Sequence, residues 1–237
     1  MDHYVCTGEC SGVSEIPLSC QLSSCSEHNH SLVFCDCTDG KHEGLERPAL
    51  IVLAGLPGTG KSTIGKLIAK NLGYVYMDQN DIKREHGMKR MPKKFDAVLR
   101  DIDRRVANTL FHGKGIVLDS VHRYMFRRQQ IYGVASGAGT QVLLIEFKCS
   151  SEESKRRMGQ RPNSDGLVSD PNNPIIYDKL AQLWEEVLEN DFKYPGSDHV
   201  SYIVYDSEKI AVEKKIVQKE VQRVVEKIEP LLVSFSA

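Results

Sequence analysis

The chain has 237 residues, 41% hydrophobic and 27% charged, with a formal net charge of −1. That is material for one large packed domain, or for one domain with an appendage. No apolar run approaches the ~20 residues of a membrane-spanning helix, and the near-zero net charge argues against a protein that coats nucleic acid.

The charges are unevenly placed. Residues 1–46 hold eight acidic residues and a single lysine, Lys41, whereas residues 83–128 hold thirteen Lys or Arg against five Asp or Glu. Such a local basic excess fits an anionic ligand, and it fits the solvated faces of surface helices equally well. Six cysteines, Cys6, Cys10, Cys20, Cys25, Cys35 and Cys37, fall in the acidic segment; the seventh is Cys149. The first twenty residues carry Asp2, His3, Glu9 and Glu15 and no continuous apolar stretch, which argues against a cleavable secretory signal. The expected location is therefore the cytoplasm, where a disulfide framework has no oxidising compartment. Zinc is the alternative use for these thiols, with His28 and His30 nearby. The spacings C-x3-C, C-x4-C and C-x-C lack a paired C-x2-C knuckle, so a disordered tail is favoured over a zinc site.

Composition changes around Arg47-Pro48, which divides the chain into a tail, 1–46, and a domain, 47–237. In the domain, strands alternate with helices, the pattern of a parallel sheet covered on both faces. Ala49–Ala54 (ALIVLA) is a continuous apolar run, as a strand buried on both faces requires. A glycine-rich turn and a helix to about Leu72 follow, with Gly73 as the C-terminal cap. Tyr74–Met77 is a short strand ending at Asp78. From Pro92 to about His112, Phe95, Val98, Leu99, Ile102, Val106 and Leu110 repeat at three-four spacing, an amphipathic helix. Gly115–Leu118 is a third strand, ending at Asp119, and a helix with Arg123, Arg127 and Arg128 comes next. Gln141–Lys148 is a fourth strand, and Ser150–Gln160 a helix opened by serine and early glutamates. The segment Pro162–Pro174 has the composition of an irregular loop, and with the arginines before it suggests a lid over about 157–175. A helix around Tyr177–Leu188 carrying Trp184, a strand Val200–Tyr205 and a final helix from about Ser207 complete the reading.

Gly55-Leu56-Pro57-Gly58-Thr59-Gly60-Lys61-Ser62 matches G-x4-G-K-[ST], between an apolar strand and an amphipathic helix. Glycines leave the backbone N–H groups open to a phosphate, and the helix N-terminus, running on through Thr63, adds donors and a positive dipole end. Lys61 is placed to reach the β- and γ-phosphates and the Ser62 hydroxyl to ligate Mg²⁺. The motif implies nucleotide binding. It leaves open a kinase, a motor or switch NTPase, and a non-catalytic nucleotide-binding module. No strand ends in Asp-Glu after four apolar residues, there is no N-K-x-D, and the domain is small for a motor; a kinase is favoured.

Asp78-Gln79-Asn80-Asp81-Ile82-Lys83-Arg84 follows the second strand. Asp81 is either a general base for an acceptor hydroxyl or the cap of a helix starting there. Arg84, one turn later, is suited to clamp an anionic acceptor. Asp119, at a strand end where parallel sheets bind ligands, is either functional or a helix cap.

The phosphate loop, the D-x-x-R of Asp81 to Arg84, the strand-plus-Asp GIVLD followed by Arg127-Arg128, and Arg157-Met158-Gly159-Gln160-Arg161 occur in one order. Together they resemble the P-loop kinase family that includes the kinase domain of bacteriophage polynucleotide kinase, with zeta-toxin and gluconate-kinase relatives. The resemblance spans about 49–206. It implies a three-layer α/β sandwich around a mostly parallel five-stranded sheet, ATP and Mg²⁺ as donor and cofactor, and a hydroxyl acceptor. It also makes Asp81 the general base, Arg84 and Arg127 acceptor contacts, Asp119 an indirect Mg²⁺ or acceptor residue, and Arg161 the lid arginine, supported by Arg157. Related sugar and shikimate kinases carry D-x-D after the second strand; here Asp78 and Asp81 stand two residues apart, so Asp78 duplicates or replaces part of that role. No basic stripe interleaved with aromatics is present, and a small hydroxyl-bearing acceptor is favoured over a polynucleotide 5′ end.

Overall fold

The computed structural model describes residues 3–5, 13–14, 33–35, 49–87, 95–160, 174–193 and 200–208. In the cysteine-rich segment three backbone stretches pair antiparallel: β1 (His3–Val5), flanked by β2 (Val13–Ser14) and β3 (Val33–Cys35). The rest of that segment, the boundary at Arg47-Pro48, most of the expected lid and the expected last helix lie outside the described residues.

The main sheet is built from β4 (Ala49–Ala54), β5 (Val75–Asp78), β6 (Ile116–Asp119), β7 (Gln141–Lys148) and β8 (Val200–Asp206), in the order β5-β6-β4-β7-β8 and parallel throughout. Every residue of β4 is buried, which is why its sequence is apolar without alternation. Alternate residues then serve opposite faces. Leu50, Val52, Leu118, Val142 and Leu144 pack with α3 (Phe95–Phe111) and α4 (Met125–Gly137); Ile51, Leu53, Val117, Leu143 and Ile145 pack with α1 (Lys61–Leu72). Each such side chain contributes roughly 1.5–3 kcal/mol by leaving water. The result is a three-layer α/β sandwich, the architecture that the resemblance implies.

In α3, Val98, Ile102, Val106 and Leu110 form the buried stripe the periodicity predicts. Gly73 closes α1 at φ 67°, its N–H donating to the Ala69 carbonyl. Ser150 caps α5 (Ser151–Gly159), its hydroxyl accepting from the Glu153 N–H. Two expectations need correction. The helix read over Tyr177–Leu188 is α6 (Pro174–Gln182), and a 3-10 turn at Glu189–Phe192 follows. Trp184 lies between them, its indole packed against the core, because tertiary burial rather than helical propensity places it. After β5 the chain forms α2 (Gln79–Glu85), whose cap is Asp78, not Asp81: the Asp78 carboxylate accepts from the Asn80 N–H at 2.7 Å.

Candidate active site

The phosphate loop is shaped by close backbone approaches that side chains would block. Gly55 sits at φ 144°, and a Cβ there would stand 2.6 Å from the Phe147 carbonyl. Gly58, at φ 85°, rests against the backbone of Ser154. These two contacts fasten the loop to β7 and α5. The Gly55 N–H donates to Val121 O at 3.1 Å, which ties the loop to the segment after β6. Gly60, the N-cap of α1, supplies no side-chain cap, leaving the first-turn donors without a competing side-chain oxygen. The buried Lys61 ammonium lies 2.8 Å from Leu56 O and 3.4 Å from Thr59 Oγ1, so the loop wraps its own lysine. Pro57 stands at the crown of the loop, and Ser62 and Thr63 are exposed in the first turn of α1. Arg157 reaches the same mouth. A Cβ on Gly60 would lie 3.9 Å from its Nη1, and its guanidinium bonds Glu153, Ser207 Oγ and Ser207 O.

Carboxylates gather at the ends of the neighbouring strands. Asp78 and Asp119 are register partners on β5 and β6. The Tyr76 hydroxyl donates to Asp119 Oδ2 at 2.5 Å, and the Ser62 side chain acts on the same phenol in the opposite sense, lowering its pKa. A hydroxyl of the phosphate loop, a tyrosine and a buried aspartate therefore form one chain of contacts. Burial, together with the charge of Asp119, pushes the Tyr76 phenol well above its ordinary value. Asp78 is raised above the usual carboxylate range by burial first, then by the nearby charges of Asp119 and Asp81. A raised carboxylate beside a phosphate loop is suited to accepting a proton.

Helical spacing separates the residues of α2. Gln79 and Ile82 are buried and Lys83 half-buried, whereas Asp81 and Arg84 face outward, 61% and 42% exposed, and pair with each other. The predicted acceptor residues thus stand on the outer side of α2. Lys83 turns inward, and burial lowers its ammonium from its ordinary value against the opposing pull of Asp78. The sequence carried a signal for this: positions 79, 82 and 83 share one helical face and 81, 84 and 85 another.

Beyond β6, His122 adopts φ 46° and its Nδ1–H donates to the Leu53 carbonyl at 2.9 Å. Burial pushes it down to about 3, with Arg127, Arg128 and Lys61 adding repulsion, so its ring is neutral. Arg127, expected to contact the acceptor, joins α4 to α3: it holds Asp103 at 2.7 and 2.9 Å and Gln130 at 2.9 Å. Sequence reading assigned no role to the fully buried Arg128, which bonds Asp191 at 2.6 and 3.1 Å and the carbonyls of His122 and Glu186. Their 63-residue separation leaves no local signal. Arg161 lies outside the described residues.

Residues 50–178 match the family described as "AAA domain". A shikimate kinase of Chlorobaculum parvum is 27% identical over 192 residues, covering 78% of this chain and 98% of its own. A Thermococcus kodakarensis protein provisionally described as an adenylate kinase is 37% identical over 143 residues, covering 60% of this chain and 75% of its own. Among solved structures, the shikimate kinase of Bacteroides thetaiotaomicron superposes with a TM-score of 0.52 at 16% identity, over 76% of this chain and 98% of that one; the likeness is one of fold.

Proposed function

From the premise that this chain belongs to the AAA-domain family of P-loop kinases, we propose that it transfers the γ-phosphoryl group of ATP to a hydroxyl of a small molecule. The observation that carries the reading is the junction of the phosphate loop with the strand-end carboxylates, through the Ser62–Tyr76–Asp119 contacts beside Asp78. A binding module has no use for an acidic pair at those strand ends. Shikimate-kinase relatives support a small hydroxyl acceptor over a polynucleotide end.

In this mechanism the loop amides and Lys61 hold the donor phosphates, and Arg157 flanks the loop mouth. Asp78, with its raised affinity for a proton, accepts the acceptor's hydroxyl proton as the new P–O bond forms and the bond to the β-phosphate oxygen breaks. Asp81, paired with Arg84 on the outer face, is the competing base. The oxygen donors Ser62 and Asp119 suit the hard Mg²⁺ ion, and Ser62 would hold it with Asp119 behind. When bound, Mg²⁺ neutralises charge on the phosphates; positioning by the chain's own groups supplies the rest. Arg161 is proposed to neutralise the transferring group. The cytoplasm, where ATP is abundant, is the proposed location; no helix among the described residues is long and apolar enough to cross a membrane.

The test follows γ-labelled ATP with wild type, Asp78→Asn and Asp81→Ala, offered a pooled metabolite extract or a 5′-hydroxyl oligonucleotide. Label entering the metabolite pool supports the proposal, and the variant that loses transfer while retaining ATP identifies the base. Label in the oligonucleotide alone replaces the acceptor class. Tight ATP binding with no labelled product in either pool favours a non-catalytic module.

A further inference from the structure

Five of the described arginines in the basic region are matched inside the protein. Arg84 pairs with Asp81, Arg104 and Arg105 with Asp101, Arg127 with Asp103 and Arg128 with Asp191. Arg123 differs. Its Nε is shielded from solvent and has no hydrogen-bond partner among the described residues. The carboxylate closest in the chain's bonding pattern, Glu185, is turned to the Met125 N–H at 2.5 Å, while the Glu185 N–H donates to the Arg123 carbonyl at 2.9 Å. The guanidinium is held over the Tyr124 ring at 4.5 Å, and Tyr124 stacks on Phe126 at 5.6 Å. The cation–π contact anchors the guanidinium, whose five donors lie in one plane.

Lys83 lies on the neighbouring wall. Its ammonium is half-buried over the Phe95 ring at 5.7 Å, and its hydrogen-bond partner is the neutral Asn80 side-chain oxygen at 3.4 Å. The charge of Arg123 disfavours the Lys83 ammonium, while that of Asp78 favours it. Lys83 comes from the helix after β5 and Arg123 from the loop after β6, so both flank the carboxyl ends of adjacent parallel strands, where such sheets bind ligands. Leaving two cations together, one with an orphaned donor, is costly to the free protein.

We propose that Lys83 and Arg123 form an anion clamp that binds a carboxylate or phosphate carried by the hydroxyl acceptor itself. The substrate class is then a hydroxy acid or a phosphorylated alcohol. The anion seats between the ammonium and the guanidinium edge, and this presents the hydroxyl towards Asp78. The assignment rests on the kinase reading above, and it moves the anion-binding role from Arg84 to the inner residues.

Three probes on one scaffold test it: glycerate, glycerol 1-phosphate and glycerol. Each is titrated by calorimetry into full-length protein saturated with Mg²⁺ and a non-hydrolysable ATP analogue, which blocks the phosphate loop. The expected result is that at least one charged probe binds about tenfold or more tightly than glycerol, and that Lys83→Gln and Arg123→Gln each remove most of that preference. Arg84→Gln is expected to keep it. No preference for either charged probe, or one that survives both inner substitutions, overturns the clamp. Carboxylate and phosphate sources are told apart by which probe wins. Failure of the analogue to bind strikes the kinase reading instead. The same series in Lys61→Ala without nucleotide then still reads the clamp, with the same two outcomes deciding it.

Discussion

The two halves of the site are made differently. The donor half is backbone: three glycines at positive φ, a helix N-terminus and one lysine within eight consecutive residues. The acceptor half is side chains from separate elements, held by pairs that span the fold, such as Tyr76 with Asp119 and Arg128 with Asp191. A backbone cradle tolerates few changes and recognises any phosphate chain. A side-chain wall is cheaply remodelled, which is how one donor site serves many acceptors.

The sharpest break between the halves is Lys61→Ala. It removes the phosphate loop's own side-chain cation, and transfer is expected to fall about 10³-fold with little change in folding; single-turnover assays beside a denaturation curve check both. Arg128→Ala probes the scaffold of the acceptor half. It strands Asp191 in the core, and an unfolding free-energy loss of about 3–5 kcal/mol is expected by urea titration. A loss below ~1 kcal/mol would mean that water or rearrangement satisfies Asp191.

Asp78→Asn is expected to lower transfer about 10²-fold while nucleotide affinity holds, since it removes a proton acceptor and not a phosphate contact. Because burial and neighbouring acids raise the Asp78 carboxyl, the wild-type rate is expected to climb with pH through a limb above the usual carboxylate range, and the Asn variant to lack it. Asp81→Ala, on the outer face, is expected to change the rate only slightly; a collapse there would return the base role to Asp81.

Gly58→Ala tests the donor half as packing. With φ at 85° and the Ser154 backbone against it, about 1–3 kcal/mol of strain is expected, read as a lowered melting temperature that ATP partly restores. The smallest effect concerns His122, which bridges the halves through Leu53 O. Its ring is neutral when folded, so the unfolded chain binds the extra proton. Stability is fully present above 6.5 and is lost as pH falls from there towards about 3. His122→Asn tolerates the left-handed backbone and keeps a donor for Leu53 O, and should flatten that part of the stability–pH profile relative to wild type.

Legibility followed the same division. The G-x4-G-K-S loop, the buried run of β4, the α3 stripe and the Gly73 and Ser150 caps were readable because each is set by residues within a few positions of one another. The acceptor residues were harder. D-x-x-R pointed to Asp81 and Arg84 by spacing, but which face of α2 turns inward is decided by where Gln79 and Ile82 find a core. Arg127 read as an acceptor contact, yet its charge is spent on Asp103, 24 residues away.

The amino-acid order by itself determined the parallel α/β sandwich and the nucleotide loop, because periodicity, glycine geometry and helix capping act over a single element. Only the tertiary structure decided which charges are consumed by partners and which stand at the strand ends. That choice depends on burial and on contacts between elements far apart in the chain. Arg127 and Arg128 are therefore spent on partners within the fold, while Asp78, Lys83 and Arg123 are the residues proposed for the acceptor side.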